Sequence, residues 1–138
     1  MNNTLRYIVA LPAGFLAAFV FTFVSAYIHN YILEQFLYFD ILIKIAEFIL
    51  QGYATYLLVV VPFDIVPRRK LLFASLAFVL NIIAIIYNYI TFNGYDHSML
   101  ISLIASSIAL IVCYDKYKEI KEKEYQDILK YLDQFPED

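Results

Sequence analysis

The sequence has few of the residues that build disulfide, zinc or nucleotide sites. Its 138 residues include one cysteine, two histidines, three glycines and no tryptophan. A single cysteine excludes a disulfide within the chain, and the histidines and the cysteine lack the spacing of a zinc site. No glycine-rich phosphate loop and no Gly-x-Ser-x-Gly nucleophile motif occur. Because nothing pairs a nucleophile with a base, we expect a protein that is not an enzyme and has no cofactor.

Charge is also scarce, and it is unevenly distributed. Charged residues make up 17% of the chain and hydrophobic residues 62%, whereas a soluble domain is about a quarter charged. Residues 1–114 hold five basic and five acidic side chains, and residues 115–138 hold five basic and eight acidic ones. The net charge of −3 therefore lies in the last 24 residues. Without a basic patch, we expect no nucleic-acid partner.

Four apolar segments are long enough to cross a lipid bilayer as helices. About 20 mostly apolar residues span ~30 Å of hydrocarbon, and the four segments cover about residues 7–28, 41–61, 71–92 and 98–114. The first is longer than the apolar part of a signal peptide, so we expect a retained span. Barrel strands would instead show alternating segments of about ten residues. The sequence predicts an all-α integral membrane protein.

Basic residues predict the orientation of these spans, because lysine and arginine accumulate on the cytoplasmic side. All basic residues except Lys44 lie on one side of the predicted spans: Arg6, Arg68, Arg69, Lys70 and five lysines after residue 114. Short connections make each helix antiparallel to the one before it. We therefore predict a four-helix antiparallel bundle over residues 1–114, in a bacterial-type inner (cell) membrane, with both termini cytoplasmic.

Polar residues within the spans form a candidate site in the outer half of the bundle. An ionisable side chain near a helix centre costs roughly 3 kcal/mol. Lys44 and Glu47 have the spacing to pair on one helix face, although Lys44 is also near enough to the boundary to reach the headgroups. The candidate site comprises Lys44, Glu47, Gln51, Asn81, Asn88, His29 and Ser102. It is either a cavity for an ion, proton or small molecule, or a set of packing and headgroup contacts.

Residues 115–138 form a charged tail that we expect to continue as a cytoplasmic amphipathic helix. Lysines and glutamates alternate from Lys116 to Glu124, and Pro136 closes the region. Spacings of three, four and three residues create one apolar stripe, which consists of Tyr125, Ile128, Leu132 and Phe135. This stripe either docks on a partner protein, pairs with a second copy of the chain, packs on a cytoplasmic loop or stays solvated.

Two functions are compatible with these features. The first is a non-enzymatic accessory, anchoring or interaction subunit, in which the tail docks on a membrane-protein partner. The alternative is a small oligomeric channel or carrier that uses the polar site around Lys44 and Glu47, since four spans enclose too little room for a wide pore. Side chains that face the bundle with Asn81 and Asn88 would favour transport, whereas side chains that reach the headgroups would favour the accessory function.

Overall fold

Helices account for almost all of the described chain. The computed structural model describes residues 3–33, 40–92 and 97–134, and within these ranges only residues 66–69 lie outside a helix. In chain order the elements are α1 (Asn3–Ile28), a π-helical turn (His29–Leu33), α2 (Asp40–Ile65), α3 (Lys70–Phe92) and α4 (His97–Gln134). The all-α class predicted from the sequence is confirmed for this part of the chain.

Each of the four helices is long and apolar enough to cross a membrane. The qualifying stretches have 29, 25, 22 and 35 residues, and all exceed the ~20 residues that span the hydrocarbon. Much of their apolar surface points outward, since Ile8, Phe19, Ile49 and Ile111 are each more than 60% exposed. Soluble monomers rarely expose so much contiguous apolar surface. These are the properties of a multi-pass membrane protein.

The closest approach of α1 and α2 lies at Gly14 and Pro62. Proline has no N–H, so Pro62 leaves the carbonyl of Leu58, four residues earlier, without its helical donor. A Cβ atom on Gly14 would lie 2.8 Å from the Leu58 oxygen and 2.7 Å from Pro62 Cγ. Only glycine permits this contact, because it alone lacks a Cβ. The same proline lies inside α2, which extends to Ile65 and thus four residues beyond the predicted span.

The central helix of the structure is α2, which packs on α1, α3 and α4. The main buried cluster is built from α2, α3 and α4 and consists of Val59, Val60, Phe63, Ala74, Ala77, Ala109 and Cys113. In contrast, α1 buries only Ala10 and Gly14 and packs mainly on α2. Among the described residues α1 and α4 barely touch each other. They therefore flank α2 as two walls with a gap between them.

Basic residues gather at the end of the structure where α1 begins and α2 ends. The ring of Tyr7 lies 5.7 Å from that of Phe73, which brings the start of α1 beside the start of α3. The turn between α2 and α3 contains Arg69, whose φ of 56° is left-handed. Lys70 Nζ donates to the Phe63 carbonyl oxygen at 3.4 Å and lies over the Phe63 ring. The cationic residues next to these contacts therefore share one end of the molecule.

Candidate functional site

A cavity of about 770 Å³ opens between α1, α2 and the first turn of α4. We call it the polar groove. Polar side chains from three helices and the π-helical turn line it: Thr22 and Ser25 of α1, His29 of the π-helical turn, Lys44, Glu47, Gln51 and Thr55 of α2, and His97 and Ser98 of α4. The α2 residues are three, four and four positions apart, so they share one helix face. That face forms the floor of the gap between α1 and α4.

A contact between a histidine and a carboxylate joins α2 to the π-helical turn across the groove. His29 Nε2 lies 3.2 Å from Glu47 Oε1, and the two side chains are 26% and 47% exposed. The sequence allows Glu47 to pair with Lys44 on its own helix; in the structure Glu47 contacts His29, the first residue of the π-helical turn that follows α1. Among the described residues Lys44 makes no ion pair and no hydrogen bond. Its ammonium group is therefore exposed at the groove, and none of its three N–H donors makes a hydrogen bond to a described residue.

A second polar cluster is buried beside the groove. Asn81 Nδ2 donates to Ser106 Oγ at 3.1 Å and to the Ser102 carbonyl oxygen at 3.4 Å, while Ser102 Oγ donates to Asn81 Oδ1 at 3.1 Å. Ser102 Oγ also lies 3.3 Å from Thr55 Oγ1, which lines the groove. Asn81 is 7% exposed and Ser106 is fully buried. Both the nitrogen and the oxygen of the Asn81 side-chain amide have hydrogen-bond partners. The cluster therefore holds α2, α3 and α4 together.

The seven residues of the predicted site are therefore divided among three places. Four line the polar groove: His29, Lys44, Glu47 and Gln51. Asn81 and Ser102 belong to the adjacent buried cluster, and Asn88 is exposed on α3 outside the groove. Groove residues that the predicted set lacked include Thr22 and Ser25. Their steps of three and four residues to His29 are the sequence signal that would have found them.

The tail continues α4 without interruption to Gln134. Tyr117 and Ile120 still pack on the buried cluster, whereas every side chain from residue 121 to 131 is exposed. Tyr125 and Ile128 of the predicted stripe are about 60% exposed. The side chain of Leu132 and all of Phe135 lie outside the described residues. Tyr125 and Ile128 therefore remain uncovered by the other residues that the structure describes.

Charged pairs stabilise the exposed part of α4. Lys121 Nζ lies 2.8 Å from Glu124 Oε2 and 6.0 Å from the centre of the Tyr117 ring, and Lys118 Nζ lies 4.0 Å from Glu122 Oε1. Such pairs at spacings of three or four residues support a helix by a few tenths of a kcal/mol each. Lys121 and Glu124 neutralise each other on the helix face that also carries Tyr125 and Ile128.

Neither metal ligands nor known relatives assign a function to these features. Within residues 3–33, 40–92 and 97–134, no group of three His, Cys, Asp or Glu side chains is positioned to hold a metal ion. Comparison of the chain with protein-family models, with curated proteins and with solved structures gives no match. The function therefore has to be inferred from the geometry of the polar groove and of the tail.

Proposed function

We propose that the chain is a non-enzymatic accessory subunit of a bacterial-type inner membrane, and that its C-terminal helix docks on a partner protein. The bundle in this proposal is antiparallel, with both termini in the cytoplasm. The observation that carries the proposal is the exposed apolar stripe of α4 beyond Ile120. This segment runs from Ile120 to Gln134, which at 1.5 Å per residue is about 21 Å of helix.

The distribution of basic residues supports the proposed topology. Arg6 precedes Tyr7, which contacts Phe73 close to Arg68 and Arg69. Lysine-rich α4 leaves the core at the same end, where Tyr117 and Ile120 pack near Phe63 and Cys113. Cationic residues flanking the spans at one end favour a cytoplasmic position for that end. The polar groove, at the opposite end of α2, is then extracytoplasmic.

An exposed helical segment is stabilised further when its apolar face packs on a partner. Isolated helices shorter than about 12–15 residues are marginal in water, and most helical stability in proteins comes from packing an apolar face. Tyr125 and Ile128 are three residues apart and are 62% and 58% exposed. Their rings and side chains offer an apolar contact surface that the rest of the described chain leaves uncovered.

The charges of the C-terminal helix favour a different protein over a second copy of the chain as its docking partner. Two copies in one membrane would present their α4 tails in parallel, because both leave the bilayer on the same side. Parallel pairing in register would place Lys121 against Lys121 and Glu124 against Glu124, and like charges at such positions are destabilising. From residue 122 to 134 there are four acidic and two basic residues. We therefore infer a partner with an apolar groove and a basic rim.

The experiment is native mass spectrometry of the protein released in nanodiscs cut from its own membrane. Wild type is compared with Ile128→Glu, which puts a charge in the stripe, and with Gln126→Glu, which adds the same charge on the opposite helix face. We expect a stoichiometric second protein with wild type and Gln126→Glu, and its loss with Ile128→Glu. A homo-oligomer unchanged in all three samples would reject the accessory function.

The polar groove supports the alternative of a small oligomeric channel or carrier. Within one chain, however, the Pro62 end of α2 is closed by Val59, Phe63, Val66 and Cys113, each at most 1% exposed. A conduction path would therefore have to lie between subunits. This alternative requires that Lys44→Leu and Glu47→Gln change ion or solute flux in liposomes. Absence of flux in wild type, or identical flux in all three proteins, would exclude it.

A further inference from the structure

The polar groove continues into a second, apolar groove along α1. The second groove has a volume of about 580 Å³, and we call it the apolar groove. Its lining is Pro12, Phe15, Leu16, Ala18, Phe19, Thr22 and Leu58. Thr22 lines both grooves. Both cavities therefore border this side chain, with mostly polar residues lining one of them and mostly hydrocarbon side chains lining the other.

Helix periodicity aligns the two grooves along one track on the helix surfaces. On α2, Leu58 follows Thr55 by three residues, so it extends the face that carries Gln51 and Glu47. The track runs from His29, in the π-helical turn, to Thr22 and then Pro12 on α1. Ten residues separate Thr22 from Pro12, which is about 15 Å of helix at 1.5 Å per residue. That length is half of the ~30 Å hydrocarbon thickness.

At the polar end of the track lies Lys44, a cation that has no ion-pair partner among the described residues. Glu47 is engaged by His29 at 3.2 Å, whereas Lys44 has no ion pair or hydrogen bond within the described residues. Gln51, next along the same face, likewise makes no side-chain hydrogen bond within this part of the chain. Together they offer an ammonium group and an amide to a ligand, which suits an anionic head with further acceptor oxygens.

The surroundings of the track make an unfilled groove unfavourable. Because α1 and α4 barely touch, the gap above α2 opens sideways toward lipid. Polar groups that face hydrocarbon without partners cost several kcal/mol. A lipid tail alone cannot form an ion pair with Lys44 or a hydrogen bond with Gln51. A polar solute alone would not fill the apolar groove with hydrocarbon. A ligand that has both a charged head and a hydrocarbon chain satisfies both halves.

We propose that the joined grooves bind a single-chain amphiphile with an anionic head, a carboxylate or phosphate attached to a hydrocarbon chain. The head pairs with Lys44 and hydrogen-bonds to Gln51. The chain passes Thr22 and lies along α1 toward Pro12, against Phe19 and Phe15. This site does not depend on the tail and so is independent of the proposed partner.

The test is a native mass spectrometry titration of the full chain in a neutral detergent. The probes are oleate, monoolein, which has the same chain on a neutral head, and acetate, which has the head without the chain. We expect oleate to bind at least about tenfold more tightly than monoolein, the factor for one charge-assisted contact. Equal affinity for oleate and monoolein, or acetate binding equal to oleate binding, would overturn the proposal.

Two sets of variants, three at lysines and two at threonines, locate the binding site. Lys44→Gln should remove the preference for oleate over monoolein, whereas Lys44→Arg and the distant Lys130→Gln should keep it. Thr22→Trp should weaken both amphiphiles by blocking the junction of the grooves. Thr91→Trp is its matched control, because both threonines are exposed and donate to the carbonyl oxygen four residues earlier at 2.8 Å. Oleate binding unchanged by both Lys44→Gln and Thr22→Trp would place the ligand elsewhere and refute the assignment.

Discussion

The two ends of the α1–α2 pair are built in opposite ways. At one end Gly14 brings the backbone of α1 against Leu58 and Pro62, with no room for a single added carbon. At the other end the helices separate around the polar groove, and their described polar link is the ion pair of His29 with Glu47. The same helix pair therefore combines a close backbone crossing at one end with a polar groove at the other.

This difference follows from what drives helix association in lipid. Apolar side chains gain little from leaving lipid for a helix interface, so close backbone packing at small residues and interhelical polar contacts supply the attraction. The Gly14–Pro62 crossing uses the first contribution, and the cluster of Asn81, Ser102 and Ser106 uses the second. The polar groove uses neither to a comparable degree. We therefore expect substitutions in the first two places to affect stability more than substitutions in the groove.

The largest effect is expected for Gly14→Ala. The added Cβ would lie 2.7–2.8 Å from Pro62 and the Leu58 oxygen, so the two backbones must move apart. Overpacking of this kind typically costs about 1–3 kcal/mol of unfolding free energy. Equilibrium unfolding of the reconstituted protein measures it. The same crossing also positions α1 over α2, so the groove should lose its shape together with the stability.

Gly52→Ala is the matched control for this comparison. A Cβ on Gly52 would lie 3.6 Å from Ala105 Cβ and Ile101 Cγ2, which is ordinary van der Waals contact. Alanine in a helix interior is favoured over glycine by roughly 0.5–1 kcal/mol, so this variant should be neutral or slightly stabilised. Similar losses in Gly14→Ala and Gly52→Ala would mean that the tight crossing does not hold the helix pair together.

The next effect concerns the buried polar cluster. Asn81→Ala removes the hydrogen bonds to Ser102 and Ser106, and interhelical polar contacts in membranes contribute about 0.6 kcal/mol on average, up to ~1.7. We expect a loss of about 1 kcal/mol in the same unfolding measurement. Asn88→Ala on the same helix should change stability by a few tenths at most, because Asn88 is exposed. Equal losses would show that the cluster does not clamp the helices.

The contrast between Asn81 and Asn88 shows what a sequence pattern predicts about a helix and what it does not. Seven residues separate them, so they share one face of α3, and the pattern predicted the same surroundings for both. In the structure one is 7% exposed and bonded to α4, and the other is exposed. The face of a helix follows from periodicity, but the neighbour that covers each point depends on how the helices cross. The crossing geometry depends on the neighbouring helices, so it cannot be read from the sequence of α3 alone.

The same limit explains which parts of the fold and the site could be predicted. Length and apolar composition predicted the four long helices, because hydrocarbon thickness sets a minimum length. The spacing of Lys44, Glu47 and Gln51 predicted one shared face of α2. The partner of Glu47 could not be predicted, because His29 reaches it only where α1 lies over α2. The extension of α2 to Ile65 was missed because a proline in the last turn removes a hydrogen bond without ending the helix.

The smallest stability effect, and the sharpest test of the comparison, is expected for Glu47→Gln. Glu47 is 47% exposed, and exposed ion pairs typically contribute about 0–1 kcal/mol. The glutamine amide can still accept a hydrogen bond from His29 through its oxygen, so we expect a loss below roughly 0.5 kcal/mol. That is well under the loss expected for Gly14→Ala in the same helix pair. If Glu47→Gln instead destabilised the protein as much as Gly14→Ala, the His29–Glu47 pair would be a structural clamp, and the groove would be a second packing contact instead of a binding site.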